Sequence, residues 1–134
     1  MVALTDEMKE TIAKNRVVPM ATASKDGIPN VVPMASIRVV GDDTIWIMNN
    51  YMVKTLRNLE ENPIVALYFY DPESRHCFQV KGTAEIKTSG PDYEMFRDRV
   101  RAKSDRFPTR SLVVMKITDV FECMPGKGAG KKVL

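Results

Sequence analysis

The sequence predicts a mainly β fold, a small antiparallel barrel of six strands with a few short helices. Six stretches rich in β-forming residues are separated by turn residues, and only three short stretches show helical periodicity. Parallel strands would need a crossover helix between most strand pairs, so we expect antiparallel pairing. The 134 residues, 44% of them hydrophobic, suffice for one domain with a buried core. We expect residues 1–134 to form this single domain, with a flexible glycine-rich tail over about 125–134.

Composition and charge exclude several classes of protein. No uncharged stretch reaches the roughly 20 apolar residues of a membrane-spanning helix, and the acidic helix start at Thr5–Glu10 is unlike a secretory leader. Cys77 and Cys123 are too far apart for a zinc site, and His76 is the only histidine. We therefore expect a soluble, cytoplasmic protein with no metal site. The formal charge of +3 suits a small anionic ligand as well as RNA.

The first half of the chain predicts one helix and two strands. The helix covers Thr5–Asn15, because a capping threonine and two acidic residues precede apolar residues at helical spacing. The first strand is Val17–Ser24, and a Lys-Asp-Gly turn connects it to a long second strand at Asn30–Val40. Pro33 lies within this second strand, where its missing N–H predicts an edge, a bulge or a rim.

The second half of the chain supplies the remaining strands and helices. A Gly-Asp-Asp turn leads into the third strand, and Asn-Pro ends the short helix that follows it. Gly82, inside the fifth strand, predicts a bulge or a sharp bend. The predicted elements are a strand at Thr44–Asn49, a helix at Val53–Asn62, strands at Ile64–Tyr70 and Arg75–Lys87, a helix at Pro91–Ser104 and a strand at Ser111–Thr118, which residues 120–124 could extend.

The start of the short helix is a candidate phosphate site. Asn49 and Asn50 are suitable capping residues, and the first helical turn leaves backbone N–H groups free beside the positive end of the dipole. Lys54 adds a full charge, Thr55 adds a hydroxyl donor, and Asn58 lies one turn further along. Lysine beside threonine on a helix is also common on solvated surfaces, so the neighbouring strands decide between the two interpretations.

Those strands provide a candidate rim for a flat ring. Pro33 interrupts the hydrogen-bond ladder between Val32 and Met34, which leaves backbone groups free for an apolar ring with a polar edge. An edge strand whose proline discourages aggregation explains the same residues. The residues themselves leave both interpretations open.

The order of segments resembles a known family. The run DG, PNVVPM, DDTIWIMNN, KTLRNLEENP, VALYFY and FQVKGTAEI is similar to the Greek-key, FMN-binding split barrel of the pyridoxamine 5'-phosphate oxidase superfamily, and especially to its short FMN-binding members. The similarity extends from Val17 to the last strand. Its most specific part is the spacing of Asn-Asn, Lys-Thr and Asn-Pro after the third strand.

The resemblance implies a set of residues that bind the cofactor. Val32, Pro33 and Met34 would line the isoalloxazine ring through their backbone. The remaining residues would border the ring and ribityl chain or bind the phosphate, namely Met48, Asn49, Asn50, Lys54 and Thr55, with Asn58 as a further candidate. The resemblance also implies a homodimer with the flavin at the subunit interface.

The chain departs from the full oxidases at positions that matter. Val32 occupies the place of an arginine that helps to hold the phosphate, and Cys77 occupies the place of a glutamine, with Gln79 nearby. The C-terminal segment lacks the substrate-binding arginine and histidine motifs of those enzymes. We therefore do not expect oxidation of pyridoxamine 5'-phosphate, and we assign no catalytic residue.

The expected function is that of an FMN flavoprotein, either an oxidoreductase or a small electron carrier with an unidentified donor or acceptor. One alternative keeps the barrel but replaces FMN with a deazaflavin or haem. Another is an RNA-binding barrel that uses the basic cluster of the third predicted helix and the loop after it. Acidic residues interrupt that cluster, which favours a solvated helix face and makes RNA the weaker interpretation; its members are Arg97, Arg99, Arg101, Lys103, Arg106 and Arg110.

Overall fold

The computed structural model describes residues 2–134 as seven strands and three helices. In chain order these are α1 (Asp6–Lys14), β1 (Val18–Ala23), β2 (Pro29–Met34), β3 (Ile37–Val40), β4 (Thr44–Asn49), α2 (Lys54–Glu61), β5 (Ile64–Asp71), β6 (His76–Lys87), α3 (Pro91–Lys103) and β7 (Ser111–Glu122). Within residues 2–134, no helix is both long enough and apolar enough to cross a membrane.

The strands form one antiparallel sheet in the order β2-β1-β5-β6-β7-β4-β3. The predicted mainly β split barrel is confirmed, with seven strands instead of six. The predicted second strand at Asn30–Val40 is divided at Ala35–Ser36, because its first part pairs with β1 and its second part pairs with β4. As a result, β2 and β3 are the two edges of the sheet and are joined only by this two-residue corner.

The core lies on the concave face of the sheet, where α1 and α2 also pack. Alternation along β4 assigns side chains to two faces: Ile45 and Ile47 are fully buried in this core, whereas Trp46 and Met48 face α3. Trp46 meets Phe96 of α3 edge to face, with ring centroids 5.8 Å apart. The sheet is therefore covered on both faces in this region. Each large apolar side chain buried in this way stabilises the fold by about 1.5–3 kcal/mol.

The predicted irregularity at Gly82 is confirmed as a break in the register between β6 and β7. A Cβ atom at this position would lie 2.2 Å from the backbone oxygen of Lys116, so only glycine allows the two strands to approach this closely.

The C-terminal segment, expected to be flexible, is instead hydrogen-bonded along the end of β7. Lys132 forms an antiparallel bridge with Phe121, and the backbone N–H of Leu134 donates to the oxygen of Val120 over 3.2 Å. The Lys132 ammonium lies 2.9 Å from Asp119 and lowers the pKa of that carboxyl group, together with the Thr118 hydroxyl. In this position neither Lys131 nor Lys132 reaches the cavity described next.

Candidate functional site

A cavity of about 380 Å³ lies beside the corner that joins the two sheet edges. Its volume is within the range of roughly 300–1,000 Å³ that is typical of small-molecule sites. The lining is mostly apolar and comes from β2, the corner, the end of β4, the start of α2 and the loop before β7. The lining residues are Val32, Pro33, Met34, Ala35, Ser36, Met48, Asn50, Tyr51, Met52, Val53, Lys54, Thr55 and Phe107.

The start of α2 gives the cavity its positive character. Val53 occupies the N-cap position and provides no side-chain hydrogen bond, so the predicted capping by Asn49 or Asn50 is wrong. The N–H groups of the first turn are therefore available to a ligand at the positive end of the helix dipole. Lys54 is exposed and forms no ion pair within residues 2–134, and no acidic residue of this range lines the cavity. This end of the cavity is suited to an anion.

A buried polar cluster fixes the position of α2 against the sheet. Asn58 donates from Nδ2 to the Oγ1 atom of Thr22 in β1 over 3.1 Å. Asn30 of β2 donates from Nδ2 to the Oγ1 atom of Thr55 over 3.1 Å. Asn58 is buried and does not line the cavity, although it borders a smaller adjoining depression together with Lys54. Its role in the structure is to anchor the helix.

The two adjacent asparagines have different roles. Asn49 is 1% exposed; its Nδ2 donates to the Ser111 hydroxyl over 3.0 Å, and its Oδ1 accepts from the Met52 N–H over 2.9 Å. It braces the turn that leads to α2 and does not reach the cavity. Asn50 lines the cavity, and its Oδ1 accepts a hydrogen bond from the backbone N–H of Thr109 over 3.0 Å. Asn50 thereby holds the loop that carries Phe107.

Thr109 adopts an unusual conformation within that loop. Its φ of 45° is left-handed, which is rare for a β-branched residue, and its buried hydroxyl oxygen has no hydrogen-bond partner. Both backbone polar groups of Thr109 form hydrogen bonds. Its C=O accepts from the Tyr93 hydroxyl over 2.7 Å, and its N–H donates to Asn50. The surrounding hydrogen bonds thus impose the loop geometry that places Phe107 at the cavity.

The structure brings seven of the nine predicted binding residues together and leaves Asn49 and Asn58 outside. The seven are Val32, Pro33, Met34, Met48, Asn50, Lys54 and Thr55. Six lining residues were not predicted, namely Ala35, Ser36, Tyr51, Met52, Val53 and Phe107. Five of these continue the two predicted stretches, whereas Phe107 comes from a distant loop for which the sequence gives no signal.

The histidine and the two cysteines lie away from this cavity. His76 lies 2.9 Å from a carboxylate oxygen of Glu7. Burial, together with Cys123 and Glu122, raises the pKa of the Cys77 thiol to about 12, so this thiol stays protonated at neutral pH. No cluster of three or more potential metal ligands occurs among residues 2–134. Among the described residues, the titratable side chains that line the cavity are Lys54 and Tyr51.

The family model for pyridoxamine 5'-phosphate oxidase matches residues 4–124, which include every strand and helix of the structure. The chain belongs to the pyridoxamine 5'-phosphate oxidase family. An uncharacterized protein of Methanocaldococcus jannaschii is 37% identical over 139 residues, covering 99% of this chain and 89% of the relative. The crystal structure of HupZ from Group A Streptococcus is 30% identical, covers 95% of this chain and 99% of that one, and superimposes with a TM-score of 0.81.

Structures of lower sequence identity share the fold, and their names mention different cofactors. An FMN-binding protein from Syntrophomonas wolfei is 18% identical, covers 83% of this chain and 79% of that one, and has a TM-score of 0.67. An F420 reductase is 20% identical, with 87% and 98% covered and a TM-score of 0.69. HutZ, the haem storage protein from Vibrio cholerae, is 18% identical, with 90% and 95% covered and a TM-score of 0.59. Proteins named for FMN binding, F420 reduction and haem storage thus share this fold.

Proposed function

We propose that this protein binds FMN in the cavity and acts as a flavin-dependent oxidoreductase or electron carrier. The observation that carries the proposal is the uncapped start of α2, where Lys54 has no ion pair in residues 2–134 and borders a mostly apolar cavity. FMN is a flat, largely apolar ring joined to a terminal phosphate, so its two parts match the two ends of this cavity in chemistry.

The donor groups of the cavity fit this cofactor. The first-turn N–H groups of α2, the Lys54 ammonium and the Thr55 hydroxyl would hold the phosphate. Val32, Pro33 and Met34 from β2, with Met48 from β4, would border the ring. Asn50 would lie between the phosphate and the ring. It lines the cavity, and it also holds the loop of Phe107.

We expect fewer cationic side chains to bind the phosphate here than in the full oxidases. Val32 provides no charge, so Lys54 is the one cationic side chain that lines the cavity within residues 2–134. Bound FMN would supply the hydride or electron transfer, and the protein would supply binding, orientation and exclusion of water. This division of roles agrees with the absence of acidic and histidine side chains from the lining in the described residues.

The residues of the cavity favour a flavin over haem bound through histidine. The only histidine, His76, is engaged with Glu7 outside the cavity. A deazaflavin would contact the same residues beside the ring and the phosphate. Its absorbance spectrum distinguishes it from FMN. RNA binding is the weaker alternative, because Arg97 of the basic cluster is engaged with Asp98 at 3.0 Å.

A second copy of this chain is the partner that we propose. Tyr51 and Val53 line the cavity and are each 67% exposed, so the cavity is open on that side. The outer face of the adjoining β2-β1-β5 sheet is also apolar and exposed, with Val31 at 67% and Tyr68 at 43%. A second subunit on this face would cover the apolar surface and complete the enclosure of the ring.

Titration of the apoprotein with FMN tests the proposed function directly. Flavin fluorescence should be quenched to a stoichiometric endpoint, and the complex should show a two-band flavin spectrum that dithionite bleaches. A Soret band in the purified protein would assign haem instead. If neither fluorescence nor absorbance of added FMN changes, FMN binding is refuted.

A further inference from the structure

A basic groove begins at the same corner as the cavity and runs between α1, β3 and α3. It consists of two adjoining depressions of about 570 and 440 Å³ that share Ala13, Ala35, Ile37, Arg38 and Lys103. The remaining lining residues are Lys9, Ile12, Asn15, Arg16, Ser36, Val39, Phe96, Arg99 and Val100. The lining thus contains seven apolar and seven polar residues, and five of the polar ones are cationic.

The fold directs cations from three separate elements into this groove. Alternation along β3 packs Ile37 and Val39 against the core, so the half-buried Arg38 projects from the opposite face beside Trp46. Arg99 and Lys103 lie one turn apart on α3 and therefore share one side of that helix. Arg16, which follows α1, supplies a fourth cation.

These four cations have no acidic partners. Within residues 2–134, none of Arg16, Arg38, Arg99 and Lys103 forms an ion pair, and no acidic residue of that range lines the groove. Other basic residues of the same helices are neutralised elsewhere, for example Lys14 of α1 by Asp71 at 3.0 Å. Lys9, the fifth cation of the lining, is paired with Asp42, so four cations without an ion pair in residues 2–134 remain in the groove.

A solvated helix face does not account for this arrangement. A solvated face presents charges from one helix on a convex surface, whereas here cations from three elements converge on a concave surface. A cleft lined by charges of one sign focuses the electric field and raises the local concentration of counter-ions. An anion in the groove would relieve the repulsion between the cations and form charge-assisted hydrogen bonds with the guanidinium groups.

The groove and the cavity adjoin at the corner, because Ala35 lines both depressions and the cavity, and Ser36 lines the cavity and one depression. We propose that the groove binds the carboxylate or phosphate end of a small anionic reactant whose reactive part reaches the flavin at the corner. This inference rests on the proposed function, and it identifies the substrate class as anionic. It also assigns a specificity role to Arg38, which lines both depressions.

Calorimetric titration of the FMN-loaded protein at low salt tests the groove, with pyrophosphate as the phosphate probe and citrate as the carboxylate probe. The double variant Arg38→Gln/Arg99→Gln should bind the preferred probe at least tenfold more weakly while its FMN affinity, read separately by fluorescence, is unchanged. Arg101→Gln is the matched control, because Arg101 is exposed on the same helix and does not line the groove. The stronger of the two probes identifies the anionic group.

Three results would overturn the proposal. The first is the absence of probe binding, or an equal loss in the Arg101→Gln control. The second is competition between probe and FMN, which would make the groove part of the cofactor's own phosphate site. The third is tighter binding of a short single-stranded RNA, with a steep salt dependence, than of either probe. If FMN does not bind, titration of the unloaded protein with the same probes still tests the anion site, so failure of the proposed flavin function is distinguished from failure of the groove.

Discussion

The backbone N–H of Thr109 donates a 3.0 Å hydrogen bond to the side chain of Asn50, which lies 59 residues earlier in the chain. Asn50 precedes α2, and Thr109 belongs to the loop that carries Phe107 to the cavity. This one contact therefore joins two walls of the cavity that are distant in sequence.

Asn50→Ala should release the Phe107 loop and weaken FMN binding by about tenfold. A part-buried hydrogen bond of this kind is worth about 0.5–1.5 kcal/mol, and its loss also frees a residue held at positive φ. Fluorescence titration with FMN measures the effect. Asn62→Ala is the control, because Asn62 donates to the Ala23 oxygen away from the cavity. Equal affinity in wild type and Asn50→Ala would show that the loop does not contribute to binding.

Lys54→Ala should weaken FMN binding by roughly tenfold to a hundredfold, since a hydrogen bond to a charged group contributes about 1.5–3 kcal/mol. Riboflavin, which has the ring but lacks the phosphate, should bind wild type and variant equally. Lys25→Ala removes an exposed lysine from the β1–β2 turn and should change neither affinity. A parallel loss of riboflavin affinity in Lys54→Ala would instead place Lys54 beside the ring.

Val31→Glu should convert the proposed dimer into a monomer, because it introduces a charge into the apolar face of the β2-β1-β5 sheet. Sedimentation velocity measures the change in mass. Ser89→Glu, in the exposed segment before α3, is the matched control and should remain dimeric. A wild-type protein that sediments as a monomer with FMN bound would contradict the proposed partner.

Acid should destabilise the protein partly through Asp71. Hydrogen bonds from the Ser74 hydroxyl and the Lys14 ammonium lower the pKa of this carboxyl group below its ordinary value of 3.8. A lowered pKa means that the stabilisation is complete above about pH 4 and is lost as the pH falls through the folded-state pKa. Asp71→Asn should therefore lower the melting temperature at neutral pH and reduce the further loss on acidification.

Melting temperatures measured from about pH 7 to about pH 2.5 test this dependence. Asp26→Asn, in the exposed β1–β2 turn, should retain the acid sensitivity of the wild type. An unchanged acid transition in Asp71→Asn would show that other carboxylates control it.

The sequence predicts the elements well because local patterns determine them. Alternation, turn residues and the Gly82 bulge each leave a signal within a few residues. The division of the second strand leaves no such signal, since Ala35–Ser36 is a break only because β2 and β3 pair with different strands. Pairing partners are a property of the whole sheet, and a single stretch does not encode them.

The candidate site could be predicted where it depends on local sequence patterns, and not where it depends on contacts between distant segments. The residues of the two contiguous stretches, such as Pro33 and Lys54, are predicted from spacing and from the family resemblance. Phe107 and the brace formed by Asn50 and Thr109 depend on contacts between distant segments. Arg38 has an ordinary strand position in the sequence, and its importance emerges only when α1 and α3 bring further cations beside it.

The corner at Ala35–Ser36 joins the only two strands whose outer edges are unpaired within residues 2–134. A molecule bound in the cavity contacts β2 and the corner that leads into β3, and would stabilise this open side of the sheet. Edge amides in β2 and β3 should then exchange with solvent more slowly when the cavity is filled, and the empty protein should begin to unfold from this side. Ligand binding in the cavity would in this way stabilise the two edge strands against local unfolding.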